Sequence, residues 1–205
     1  IARKKHSGEV VWTYTLPARP SQHLVGDDRF IYVVINNKSI VVLGGKTGNL
    51  VKEISLPKIY CPPVLVGTML YYTARGSKTD PEGYYQLHVL DTEKLELKYK
   101  KDLGIKVQVP PLIVEDTIYL ADYNSNIRAL SITDGKDLWS LSNAEEDVIL
   151  TTLHNAQDQL FYGTYLGKLY SVTIRQPEET LADVNSLLEA EDFISAAMVY
   201  ALEGE

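Results

Sequence analysis

The sequence predicts an all-β fold, a β-propeller of about four four-stranded blades followed by a short C-terminal helical hairpin, and three observations carry that prediction. Short runs rich in Val, Ile and Tyr recur at residues 30–35, 69–73, 117–121 and 159–163, and branched and aromatic side chains fit a pleated, half-buried surface. The runs repeat at a period of about 40 residues, the spacing of units built from several short strands that usually form propeller blades. Past Pro177 the apolar spacing changes to steps of three and four, which is helical.

Aligning the runs gives a column Tyr32, Tyr71, Tyr119, Phe161, followed by Ile40, Leu87, Ile127, Leu169 and then Leu43, Leu90, Leu130, Val172. Gly48, Leu95 and Gly135 come next, and four residues beyond each stand Lys52, Tyr99 and Trp139. A polar insert at residues 75–83 stretches the second copy. Pro20, Pro62-Pro63 and Pro110-Pro111 mark the starts of successive copies, where Pro can sit at a strand margin without breaking a ladder.

The fourth copy stops at Pro177 without its turn glycine and aromatic. Gly8 to Trp12 has the spacing of Gly135 to Trp139, so the N-terminal segment is expected to complete the last blade and remove an exposed edge. The propeller domain then runs over 7–175, either closing on itself or forming part of a larger ring. The helical hairpin occupies 177–205, with Leu181, Val184, Leu188 and Phe193, Ala196, Ala197, Tyr200 on its apolar stripes. Helices this short need something to pack on.

Leu130-Ser-Ile-Thr-Asp-Gly135-Lys-Asp-Leu-Trp139 resembles the signature of pyrroloquinoline-quinone-like propeller repeats, Leu-Asp-x-x-Thr-Gly-Lys-x-x-Trp, and Gly167-Lys-Leu-Tyr-Ser-Val172 matches the strand before it. Leu43-Gly-Gly-Lys-Thr-Gly48 and Leu90-Asp-Thr-Glu-Lys are partial copies, the first without the Trp and the second without the Gly. The resemblance covers residues 7 to 174 and implies the fold, but the repeat occurs in enzymes and scaffolds alike. The enzymes of that type imply a longer ring, calcium, an acidic base and adjacent cysteines. In repeat type the chain is also similar to the propeller scaffold of bacterial outer-membrane assembly, which implies a periplasmic address. Asp192, Phe193, Ala196 and Tyr200 resemble the start of a tetratricopeptide-type helical repeat.

The 205 residues carry 20 Lys and Arg against 27 Asp and Glu, a formal charge of −7. That balance argues against nucleic acid or an anionic membrane and for a protein partner with a basic surface. One cysteine, Cys61, precludes an internal disulfide and favours a buried structural thiol. No stretch reaches the roughly 20 apolar residues of a membrane span, and no targeting segment is visible. Because the chain begins at Ile1 and not Met, an upstream portion is expected; the compartment is read as cytoplasmic, with the periplasm as the alternative.

Candidate chemistry is sparse. Gly45-Lys46-Thr47 lacks the earlier Gly of a phosphate loop and reads as a turn. His6, His23, His88 and His154 stand far apart, with no ligand spacing, so no metal site is expected. The acidic pairs at 27–28, 145–147 and 178–179 read as solvated turns or a helix start, and Asn37-Lys38-Ser39 as a hairpin tip. No catalytic residue and no cofactor are assigned. Tyr84 and Tyr85 beside the insert, and Tyr123 in the loop after Ala121, are the candidate protein-binding anchors, since exposed aromatics favour interfaces. The expected function is a non-catalytic protein-interaction scaffold, part of a larger propeller-plus-helical-repeat protein; the alternatives are a quinone-cofactor dehydrogenase fragment or a carbohydrate or small-ligand receptor.

Overall fold

Runs such as Phe-Ile-Tyr-Val-Val-Ile are apolar on both faces, a pattern that calls for neighbours on both sides of a sheet. The structure, a computed structural model, describes residues 1–56, 58–77, 79, 83–142 and 147–174. The chain divides into two compact units: Ile1–His154 with Tyr162–Leu169, and Asn155–Phe161 with the stretch from Tyr170 onward, of which residues 170–174 are described. The predicted helical hairpin at 177–205, with its tetratricopeptide-like motif, lies outside the described residues.

The chain starts as a hairpin, β1 (Ala2–Arg3) against β2 (Val10–Trp12). The Gly8 N–H donates to the Lys4 carbonyl and the Arg3 guanidinium to the Gly8 carbonyl, which closes the turn. β2 takes β1 as a ladder partner through this local turn.

Four repeat sheets follow. The first holds β3 (Val25–Gly26), β4 (Phe30–Ile35), β5 (Ser39–Gly44) and β6 (Leu50–Ser55) in sequence order. The second contains β7 (Lys58–Ile59), β8 (Val64–Val66), β9 (Met69–Arg75), β10 (Tyr85–Asp91) and β11 (Glu96–Asp102). Its order is β11-β10-β9-β7, and β8 also pairs with β9, so the inner strand is split around Pro62-Pro63. The third is β12 (Leu112–Val114), β13 (Thr117–Ala121), β14 (Ile127–Ser131) and β15 (Asp137–Leu141). The fourth has three strands, β16 (His154–Ala156), β17 (Gln159–Gly163) and β18 (Leu169–Thr173).

The repeat is visible in register as well as in sequence. Pro20 bridges Ile35, Ile59 pairs with Ala74, Val107 bridges Asp122 and Ile149 bridges Thr164, the same spacing four times. In the first three sheets the register shifts at equivalent places, between Val42 and Leu43, Val89 and Leu90, and Ala129 and Leu130. Each shift precedes the turn to the outer strand, where Gly48, Leu95 and Gly135 all have positive φ. An extra residue at a bulge with a left-handed backbone is how a strand bends into such a turn.

Burial falls from the middle of each sheet outward: β4, β5, β9, β10 and β13 are largely buried, whereas β6 is almost wholly exposed. Side chains alternate across a strand, and β4 uses both faces. Tyr32 and Val34 join Ile40 and Val42 against Ile59, Leu70, Tyr72, Ala74 and Leu90 of the second sheet. Val33 and Ile35 point the other way and pack, with Val41 and Leu43, under Tyr14, Leu16 and Ala18 of the N-terminal segment. The second and third sheets interlock through Tyr71, Leu87 and Val89 against Val107, Ile118, Leu120 and Leu130. Burying each such side chain contributes about 1.5–3 kcal/mol.

Candidate functional site

The hairpin joining β4 to β5 has its counterpart in every later repeat, and the residue four beyond the Tyr/Phe column sits at its start: Asn36, Arg75, Tyr123 and Tyr165. In the third and fourth repeats the turns are closed alike. Asp122 N–H donates to the Asn126 carbonyl and Ser125 N–H to that of Asp122; Thr164 and Gly167 do the same with Lys168 and Thr164. Ser125 and Gly167 take the positive φ each turn needs. Asp122 is buried but satisfied, Oδ1 accepting from the Asn124 and Asn126 N–H groups and Oδ2 from the Asn126 side-chain amide. The turn thereby holds Tyr123 outward, 53% exposed, and its equivalent Tyr165 is 73% exposed.

Between these two hairpins runs the segment around Val148, tied down by Tyr165 N–H donating to the Val148 carbonyl and Ile149 N–H to the Ser125 hydroxyl. A pocket of about 440 Å³ opens there, walled by Val109, Tyr123, Val148, Ile149, Leu150 and Tyr165. The buried Asp147 carboxylate accepts from the Leu166 N–H at Oδ1, while Oδ2 has no hydrogen-bond partner among the described residues.

From the pocket a row of rings and cations crosses the second sheet. The Lys106 ammonium lies 5.4 Å from the Tyr123 ring centroid and 5.5 Å from that of Tyr60. Lys58 lies 5.6 Å from the same Tyr60 ring. Tyr60 meets Tyr85 at 5.8 Å, Tyr85 meets Tyr84 edge-on at 4.9 Å, and Arg75 lies 5.4 Å from the Tyr84 ring. The sheet register sets this up, because Lys58 on β7 pairs with Arg75 on β9, which pairs with Tyr85 on β10. Burial, with Tyr85 and Tyr84 beside it, raises the Tyr60 hydroxyl above its ordinary pKa, and Arg75 works against that rise.

All three tyrosines singled out from sequence fall on this row. Tyr123 is exposed, while Tyr84 and Tyr85 are half-buried against one another. Sequence reasoning missed Tyr60, Lys58, Arg75, Lys106 and Tyr165; the last was visible as the residue that repeats Tyr123 four positions past the aromatic column.

The other candidates resolve as structural parts. Cys61 is buried, its thiol pKa pushed up by desolvation, with Sγ 3.0 Å from the Thr73 hydroxyl, which donates in turn to the Val107 carbonyl. Gly45-Lys46-Thr47 forms the β5–β6 turn, with strand β6 following it in place of the helix a phosphate loop requires. His88 is buried beside Tyr72 and bonded to Gln86. Asp27 caps the Arg29 and Phe30 N–H groups, and Asn36 and Asn37 form the tip of the first hairpin, both with positive φ. Glu145, Glu146, Glu178 and Glu179 lie outside the described residues. Among the described residues no three His, Cys, Asp or Glu side chains gather to hold a metal, and no helix is long and apolar enough to cross a membrane.

Comparison with known proteins agrees with the repeat architecture. The structure of BamB from Moraxella catarrhalis matches with a TM-score of 0.66 at 16% identity, over 82% of this chain and 50% of that one. The computationally designed Ika4 protein matches at 0.60 and 11% identity, over 82% of this chain and 98% of its own. A quinohemoprotein alcohol dehydrogenase, ADHIIG from Pseudomonas putida HK5, matches at 0.57 and 10% identity, over 74% and 29%. At these identities the likeness is one of fold, and the fold serves a dehydrogenase as well as BamB. An uncharacterized protein of Rickettsia conorii is 23% identical over 190 residues, 81% of this chain. The chain spans 44% of that relative's length and half of the BamB chain. The model of the family described as outer membrane protein assembly factor BamB matches residues 61–181, more than half of the sequence, so this chain, a quinoprotein-type repeat β-propeller, belongs to that family.

Proposed function

We propose that the chain is a non-catalytic protein-interaction scaffold within a larger protein, and that it presents the hairpin rim around Tyr123 to a protein partner. One observation carries the reading: a continuous row of tyrosines and cations ends in a pocket walled by exposed Tyr123, Leu150 and Tyr165. Rigid strands hold these groups from both sides, and aromatic side chains beside a pocket are what interface hot spots are made of. Tyr84, Tyr85 and Tyr123 serve as contacts in this reading. The address that goes with it is the periplasm, in keeping with the family's description, in place of the cytoplasm first expected from the lack of a targeting segment.

A photo-crosslinking amino acid at position 123 or 165 of the full-length protein, expressed in its own cells, tests this. A discrete protein adduct from both positions is expected, with none from position 53 on the exposed strand β6. Adducts at 53 and none at the rim would place the interaction elsewhere.

A further inference from the structure

We infer that the rim takes an acidic peptide segment carrying one apolar or aromatic anchor residue, the anchor entering the pocket beside Tyr123 and the acidic residues lying along Lys106, Lys58 and Arg75. This rests on the scaffold reading and specifies its partner, with a charge opposite to the one that the net −7 suggests.

The local charge is the first ground. Among the described residues no carboxylate stands within ion-pair distance of Lys58, Arg75 or Lys106, although Lys4, Arg29, Lys101, Arg128 and Lys136 each find one. Of the described acids nearby, Asp122 is engaged within its own hairpin and Asp102 accepts from the Gly104 N–H, while Asp147, beside the pocket, is buried and accepts from the Leu166 N–H at Oδ1. On a chain with excess acid, three cations on one row with no counter-charge among the described residues favour an anionic partner there.

The second ground is register. Lys58 and Arg75 are direct cross-strand partners on β7 and β9, and like charges opposite one another destabilise a sheet. A pairing that costs stability and is relieved by an anion is the arrangement a binding surface retains. The third is the pocket of about 440 Å³, whose walls of Val109, Ile149, Leu150 and Tyr165 suit an uncharged side chain of Leu or Phe size.

A nucleic acid fits less well. The Tyr60, Tyr84 and Tyr123 rings each already carry a cation from Lys58, Lys106 or Arg75, which leaves Tyr165 alone among the described residues as an unoccupied ring at the rim and no run of rings for successive bases to stack on. A long polyanion also meets the repulsion of a −7 chain.

The test titrates the full chain with three fluorescent octapeptides that share a central Phe and are flanked by Glu and Asp, by Ser and Asn, or by Lys and Arg. A thymidine 20-mer is titrated alongside them. The acidic peptide is expected to bind tightest and to weaken at least tenfold between 50 and 300 mM salt, as roughly three ionic contacts require. Lys58→Gln with Lys106→Gln should weaken it at least tenfold, and Lys5→Gln should leave it unchanged. Lys58→Gln alone removes the like-charge pair, so its melting temperature should be unchanged or raised, which separates lost binding from lost folding. Preference for the basic peptide or the oligonucleotide overturns the inference. Binding of none of the four, while crosslinks at 123 and 165 persist in cells, overturns it and leaves the scaffold reading standing; loss of the crosslinks as well removes both.

Discussion

Two seams between neighbouring sheets are built in opposite ways. Where the second sheet meets the third, Tyr99 on outer strand β11 lies over Gly135 of the next turn, and its hydroxyl donates to the Ile132 carbonyl at 3.1 Å. The N-terminal segment repeats this on the first sheet: Trp12 lies over Gly48 and its indole N–H donates to the Gly45 carbonyl at 3.0 Å. Between the first and second sheets the aromatic is Lys52 and the glycine is Leu95. Lys52 Nζ donates to the Leu95 carbonyl at 2.5 Å, and the Leu95 side chain packs on the cluster of Tyr32, Tyr72 and Leu90. The two departures from the repeat, one in each copy, therefore meet at a single seam. The bulk arrives there from the downstream turn and not from the upstream strand, and a groove of about 360 Å³ stays open beside Lys52, His88 and Leu95.

The largest effect should come from breaking the glycine-based seams. Gly48 and Gly135 both have φ of +70°, and a Cβ on Gly48 would run into the Trp12 indole, while one on Gly135 would stand 2.9 Å from the Tyr99 ring. A left-handed backbone costs an ordinary residue about 1–2 kcal/mol and overpacking a further 1–3. Gly48→Ala is expected to destabilise by about 3 kcal/mol and Gly135→Ala by slightly less, measured as a fall in the urea midpoint. Gly67 also has positive φ but has nothing within 4 Å of an added Cβ, so Gly67→Ala should show the backbone cost alone, about 1 kcal/mol.

The Lys52–Leu95 seam sharpens the comparison through a double-mutant cycle. Lys52→Trp alone places an indole where Leu95 already sits, and Leu95→Gly alone empties the seam while relieving a φ of +52°. Each single change should destabilise by about 1–2 kcal/mol. The pair together restores the aromatic-on-glycine arrangement of the other seams, so it should recover most of the loss, with a coupling of about 1–2 kcal/mol by denaturant unfolding. Simple additivity would mean that Lys52 and Leu95 are not reciprocal.

These seams also explain what was legible in the sequence. The columns Tyr32, Tyr71, Tyr119 and Ile40, Leu87, Ile127 could be read because they occupy strands buried on both faces, where composition follows burial. Lys52 and Leu95 stood out as departures, but that they answer one another depends on which turn the outer strand reaches. The Tyr60–Lys106–Tyr123 row was hidden for a related reason: its members lie on β7, β9, β10 and four loops, and only the sheet register makes Lys58, Arg75 and Tyr85 neighbours. Trp12 shares with Trp139 its offset of four from a glycine, and only the structure shows that its indole lies over the Gly48 turn and that the turn at Gly8 pairs β2 with β1.

The smallest expected effect distinguishes the same two seams by charge. At the rim of the second and third sheets Asp137 accepts from Lys101 at 2.7 Å and Arg128 at 2.5 Å, and Arg128 also donates to the Leu103 carbonyl. Partial burial pushes the Asp137 pKa upward, but the hydrogen bonds from Lys101 and Arg128 outweigh it and leave the carboxyl below its ordinary value. A lowered folded-state pKa means that the stabilisation is present above the unfolded value of about 3.9 and is lost as pH falls through the folded one. Because the Asp137 side chain is 48% exposed, solvent screening keeps the contribution to about 0.5 kcal/mol. Asp137→Asn should lower stability by that amount at pH 7 and in low salt. The difference from the parent should begin to narrow only as the pH falls below the unfolded value, and should close as it passes through the lowered folded one, where the parent carboxyl takes up its proton. A difference that stays constant as acid is added through that whole range would assign the role of Asp137 to packing and not to charge.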